Sequence, residues 1–178
     1  MNANRAWYVF AACNILLLAL TAMVNDWLGG WGLSLFLAGP CVVWPALRLG
    51  PGWLIPCLML SGLAGDAALP TPPGFLMCLF VAGALGVQAL FPQAARWQRS
   101  QQISLAWVLN GLYFFAFTIW AMAENHAGGR VFFERVAADF CLSQIIVLLV
   151  ASWHFDFQAS VLGLVGSTAG PHRAGAGY

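Results

Sequence analysis

Apolar residues run through this chain in six long stretches: Ala6–Val24, Trp31–Leu47, Trp53–Leu69, Gly74–Phe91, Ile103–Ala123 and Val136–Phe155. Polar and charged positions fall mostly in the short gaps between them. A helix needs roughly 20 apolar residues to cross the hydrocarbon core of a bilayer. The runs are continuous, whereas membrane β-strands are segments of about ten residues that alternate in polarity. Lipid offers no partner for a free backbone group, so each run is expected to be a helix. The pattern predicts an all-α integral membrane protein, a bundle of six transmembrane helices over residues 1–162. The Gly- and Ala-rich remainder, 163–178, is expected to be a flexible tail. Arg5 ahead of the first run also fits a signal peptide. That run is too long for a typical signal core and has no clear small-x-small cleavage site before Asp26, so it is taken as a span.

Composition supports the same class. Thirteen residues are charged, none of them lysine, which is 7% of the chain against 61% hydrophobic, with a mean hydropathy of +0.80. Soluble domains carry about 25% charged residues. No stretch remains that would fold as a second, water-soluble domain, and nucleic acid is not expected among the partners. With a cytoplasmic N-terminus and six spans, Arg5, Arg48, Arg96, Arg99 and Arg173 lie inside, and Arg130 and Arg135 outside. Both termini are then cytoplasmic. Five spans would move only Arg173. Eight of the tryptophans, Trp7, Trp27, Trp31, Trp44, Trp53, Trp97, Trp120 and Trp153, fall at or near span ends, where amphipathic rings prefer to lie.

Other features refine the bundle. Pro40 and Pro45 are expected to bend the second span. The connector Leu69-Pro70-Thr71-Pro72-Pro73-Gly74 continues neither neighbour and predicts a stiff outer hairpin. Small residues recur four apart at Ser34/Ala38, Ser61/Gly65 and Ala82/Gly86, spacings that let helices approach closely, within the bundle or against a partner. Cys13, Cys41, Cys57, Cys78 and Cys141 lie in apolar runs without a C-x-x-C pair and read as small buried hydrophobes. The external loop Glu124–Arg135 holds Glu124, His126, Arg130, Glu134 and Arg135. Two potential ligands there do not make a metal site, and Phe132-Phe133 suggest an interfacial helix before span six.

Polar groups within spans are costly and each is a functional candidate. They are Asn14, Asp66, Asn110, Asp139, Gln144 and His154. Asp139 is expected in the first turn of span six, where the helix dipole favours an anion and Arg135 lies four residues away. Asp66 is expected near the end of span three, capping backbone donors of the hairpin; a partner-binding or ion-linked role stays open. Asn14, Asn110 and Gln144 are expected to hydrogen-bond between helices, and His154 to sit at the interface. No nucleophile–base pair, paired carboxylates on one helix, H-E-x-x-H or phosphate loop appears, so no enzyme, cofactor or metal is expected.

At span three the pattern becomes specific. Gly62-x3-Asp66-x7-Gly74, followed at once by an apolar span, resembles the rod shape-determining membrane protein MreD family. Size, six spans and cytoplasmic termini are also similar. The chain differs in its three prolines between Asp66 and Gly74 and in having no basic C-terminal tail. The resemblance implies a non-enzymatic scaffold of the bacterial cell-wall elongation machinery, in the bacterial inner membrane. Its implied partners are an MreC-like single-span protein, RodA and a class B penicillin-binding protein. Gly62, Gly65, Asp66, Gly74, Gly86 and Asp139 are the candidate structural or partner-binding residues. The architecture resembles the S components of energy-coupling-factor vitamin transporters, which makes such an uptake subunit the alternative. S components typically carry A-x-x-x-A in their first span, and no two of Ala6, Ala11, Ala12, Ala19 and Ala22 are four apart. A structural assembly subunit of another system is a third reading.

Overall fold

The computed structural model describes residues 3–69, 71–125 and 129–167, and these residues form helices without a strand. The helices are α1 (Ala3–Gly29), α2 (Gly39–Arg48), α3 (Pro51–Ala68), α4 (Phe75–Leu90), α5 (Arg99–Asn125) and α6 (Arg130–Ser167), with a 3-10 turn at Ala94–Arg96. Three segments are long and apolar enough to cross a membrane: Ala6–Gly29, Arg99–Glu124 and Arg130–Val165. At 1.5 Å per residue, α3 is about 27 Å long, α4 about 24 Å and α2 only about 15 Å.

The second apolar run departs from expectation. It is not one bent helix: residues 33–38 are non-helical, and α2 begins only at Gly39. Proline explains the break. Pro40 occupies the first turn of α2, where its missing N–H costs nothing. The same residue clashes with a helical turn before it. Gly32, at φ +70°, turns the chain out of α1.

α3 packs on α4 and α1, α2 on α5 and α4, and α5 on α6. The core between them is built around Phe10, Leu54, Leu58, Leu76, Phe80, Val147 and Phe155, all nearly inaccessible. α4 and α5 lie apart and meet through Phe80–Tyr113 and Phe75–Trp120 ring contacts at 5.8 and 5.6 Å.

α6 differs from expectation at both ends. It starts at Arg130, so Phe132 and Phe133 belong to the long helix itself. It continues to Ser167, past the expected start of the tail at 163. At about 57 Å it exceeds the roughly 30 Å hydrocarbon core. His126 and the tail beyond Ser167 lie outside the described residues.

Candidate functional site

The hairpin between α3 and α4 is organised by one carboxylate. The helical donors at the start of α4 have no partner within the helix, and its N-cap, Gly74, has no side chain to offer. Asp66 supplies the cap from the last turn of α3. Its Oδ2 accepts the Gly74 N–H at 2.8 Å, and its Oδ1 accepts the Leu76 N–H at 2.8 Å and the Thr71 hydroxyl at 3.0 Å. The side chain is 7% exposed. The negative charge lies at the positive end of the α4 dipole, which offsets its unfavourable place at the end of α3.

The glycines of this motif have separate tasks. Gly74 takes φ +93°, a left-handed conformation that side chains disfavour. Gly62 lets α3 and α4 touch, since a Cβ there would lie 2.6 Å from Met77 N. Gly65 faces Leu76 and Leu18, with a Cβ meeting Leu76 Cδ1 at 3.0 Å. Gly65 is therefore spent on packing inside the bundle and is not available to a partner. Gly86 is different: a Cβ there would have nothing within 4 Å.

A second polar system serves the unwound segment. Buried non-helical backbone must find partners within the protein. Asn25 pairs with Leu35 twice, accepting its N–H at 2.6 Å and donating to its carbonyl at 2.9 Å. Asp139 accepts both the backbone N–H and the hydroxyl of Ser34 at 2.8 Å. Ser143 Oγ accepts the Phe36 N–H at 3.0 Å. Asn110 donates to the Phe36 carbonyl at 3.0 Å and accepts the Gly39 N–H at 3.1 Å. Asn14 donates to the Cys41 carbonyl at 2.7 Å. Gln144 supports Asn110 at 3.4 Å.

Several expectations about these residues change. Asp139 is nine residues into α6 rather than in its first turn, and it binds Ser34. Among the described residues the ion pairs are Arg99–Asp156 and Arg130–Glu134, so the expected Arg135–Asp139 pair is not formed. His154 is 1% exposed rather than interfacial. Its Nε2 lies 3.2 Å from Asn14 Oδ1 and 2.9 Å from Gln158 Nε2. Gln158 donates to the same Asn14 oxygen at 2.9 Å, and Asn14 donates to Ser61 at 3.2 Å. This cluster ties α1, α3 and α6 together. Cys78 and Cys141 are exposed, while Cys13, Cys41 and Cys57 are buried as expected.

Sequence reasoning missed Asn25, Gln88, Ser143 and Gln158. Gln88 donates to the Ala46 and Leu49 carbonyls at 2.9 and 2.8 Å, so α4 caps the end of α2. Asn25 and Gln158 lay outside the assumed spans. A signal existed for Gln158, which is one helical turn from His154.

The separation of α4 and α5 leaves an apolar groove of about 650 Å³. Gly83, Gly86, Val87, Leu90 and Phe91 line one wall, and Leu105, Val108, Leu109 and Leu112 line the other. Trp97, Ser100, Gln101 and Ser104 stand at its mouth. A far smaller cavity, about 20 Å³, lies beside the unwound segment, between Thr21, Asn25, Leu35 and Gly65. That is room for about one water molecule. Comparison of the chain with protein-family models, with curated proteins and with solved structures finds no match.

Proposed function

We propose that this chain is a non-enzymatic scaffold of the bacterial cell-wall elongation machinery, similar to MreD. It crosses the cytoplasmic membrane six times, with both termini inside, and presents an intramembrane face to the single transmembrane helix of an MreC-like protein. RodA and a class B penicillin-binding protein are the further partners this reading implies. One observation carries it: each fixed residue of Gly62-x3-Asp66-x7-Gly74 has a distinct physical task in the same hairpin. Gly62 allows the helices to touch, Gly74 makes the turn, and Asp66 caps α4. A motif that fixes one helix so firmly suggests that the position of that helix matters.

The outward face of α4 fits a helix partner. Cys78, Ala82, Leu85 and Ala89 are exposed on it, and three of the four are small. Small residues let backbones approach in lipid, where packing rather than hydrophobicity drives association. Ala82→Leu is expected to abolish co-purification with the MreC-like partner at unchanged expression and monodispersity. Leu149→Ala, on the exposed face of α6, is the control and is expected to bind normally. A monodisperse Ala82→Leu protein that still binds the partner would overturn the assignment of this face. The alternative is a vitamin-uptake subunit of the S-component type, which vitamin binding by the purified chain would favour.

A further inference from the structure

We infer that the α4–α5 groove is a binding site for one anionic phospholipid, with its acyl chain between the helices and its headgroup at the arginine-bearing end. This inference concerns a different face from the partner surface and stands or falls independently of it.

Length argues first. The groove runs along α5 from Ser100 to Leu112. Twelve residues of helix span about 18 Å. Half of a roughly 30 Å hydrocarbon core is about 15 Å. The groove is thus one leaflet deep. It is closed near the middle of the bundle, where the Tyr113 ring meets Phe80 at 5.8 Å and its hydroxyl lies against Gly83. A transmembrane helix lying between α4 and α5 would need the groove to continue past Tyr113, but Phe75 and Trp120 are again in contact there. An acyl chain needs only one leaflet.

The walls and mouth argue next. The walls are apolar, and the volume of about 650 Å³ falls among ligand clefts of about 300–1,000 Å³. Gly86 keeps one wall open, with nothing within 4 Å of a Cβ placed there. The mouth turns polar through Ser100, Gln101 and Ser104. Phe91 and Val87 are shared with a second hollow of about 370 Å³ that carries Arg48, Pro51 and Gln88. The two hollows flank the last turn of α4, so a lipid seated in the groove has its headgroup beside Phe91, next to the hollow carrying Arg48, whose guanidinium lies 4.5 Å over the Trp44 ring, and close in sequence to the Ala94–Arg96 turn that leads into Trp97.

Charge selects the headgroup. Arg99 and Asp156 pair with each other at this end. The other acids of the chain, Asp26, Asp66, Glu124, Glu134 and Asp139, belong to the opposite half, with the hairpin, the α5 terminus and the start of α6. Arg48 and Arg96 are exposed and form no ion pair among the described residues. Basic hollows between membrane helices suit anionic headgroups.

The test is native mass spectrometry of the full chain in detergent, with phosphatidylglycerol and phosphatidylcholine of identical chains added at equal concentration. Each well-placed arginine contributes about fivefold to anionic binding. Phosphatidylglycerol adducts are therefore expected to exceed phosphatidylcholine adducts by about tenfold or more. The Arg48→Gln/Arg96→Gln double variant should lose that preference, its phosphatidylglycerol adducts falling to the phosphatidylcholine level. Gly86→Phe and Val108→Trp fill the groove from opposite walls, and either should remove adducts of both lipids. If one of them is not monodisperse, the other reports. Equal binding of the two lipids by the unmodified chain would overturn the headgroup assignment. Full adducts in a filled variant would overturn the site. If Gly86→Phe abolished partner co-purification but kept its lipid adducts, the groove would be a helix site and the lipid reading would fall.

Discussion

Asp66 offers the sharpest test, because its two oxygens are not equivalent. Oδ1 accepts Leu76 N–H and the Thr71 hydroxyl, and Oδ2 accepts Gly74 N–H. Leucine removes all three bonds. A hydrogen bond to a charged group is worth about 1.5–3 kcal/mol, and a buried donor left unpaired costs about 1–3 kcal/mol. The Leu76 donor is buried, while Thr71 and Gly74 are partly exposed, so water compensates in part. Asp66→Leu is expected to lose about 3–5 kcal/mol. Asparagine is not a neutral replacement. With its oxygen toward Leu76 and Thr71, its amide faces the Gly74 N–H. Flipped, its amide faces the Leu76 N–H instead. Either way one donor opposes another, and the expected loss is about 1–3 kcal/mol. Thermal unfolding of the purified variants, followed by tryptophan fluorescence, should therefore rank Asp66 above Asn above Leu. Glutamate is expected near or below Asn, since its longer arm does not fit the same three donors. An Asn variant as stable as the unmodified chain would refute the capping geometry. Asn and Leu variants that keep their Tm but lose the partner equally would point to a role for the charge itself.

The glycines predict a contrast. Gly62→Ala should lower Tm markedly because its Cβ meets the Met77 backbone, which cannot move aside, whereas Gly86→Ala should leave Tm unchanged; equal effects would refute the packing assigned to α3 and α4. Asn110→Ala leaves the Phe36 carbonyl and the Gly39 N–H unpaired in the core, an expected cost of about 2–6 kcal/mol. An unaltered Tm for that variant would mean that the unwound segment does not depend on its side-chain partners. Topology is checked by thiol labelling in a background with the exposed Cys78 and Cys141 replaced by serine. Arg130→Cys should label from outside intact cells and Ser100→Cys only after permeabilisation, and external labelling at Ser100 would refute the orientation.

The α3–α4 hairpin was legible in the sequence because it is local. Asp66, Thr71, Gly74 and Leu76 lie within eleven consecutive positions, and the prolines allow the connector few conformations. The helical membrane class was equally legible, since it follows from the length and continuity of the apolar runs. Three helices meet the length and apolarity of a span, while the second run is broken. Pro40 announced that disturbance in the sequence, but its extent depended on distant chain. Residues 33–38 stay unwound inside the core because Asn25 pairs with Leu35 from ten residues away, and Asp139, Ser143 and Asn110 arrive from more than 70 residues away to satisfy the rest. Nothing local marks the distant partners.

Facing was the other decision left to tertiary structure. In water a helix shows its buried side by a contrast between apolar and polar faces. In lipid both faces are apolar, so the contrast vanishes. Gly65 and Gly86 look alike in sequence, yet one is packed against Leu76 and the other opens on the groove. His154 and Asp156 lie two residues apart in sequence, yet one is sealed within the bundle and the other is exposed and paired with Arg99. Composition fixes which solvent a membrane chain lives in, while the order in which its helices pack fixes which side of each helix meets that solvent.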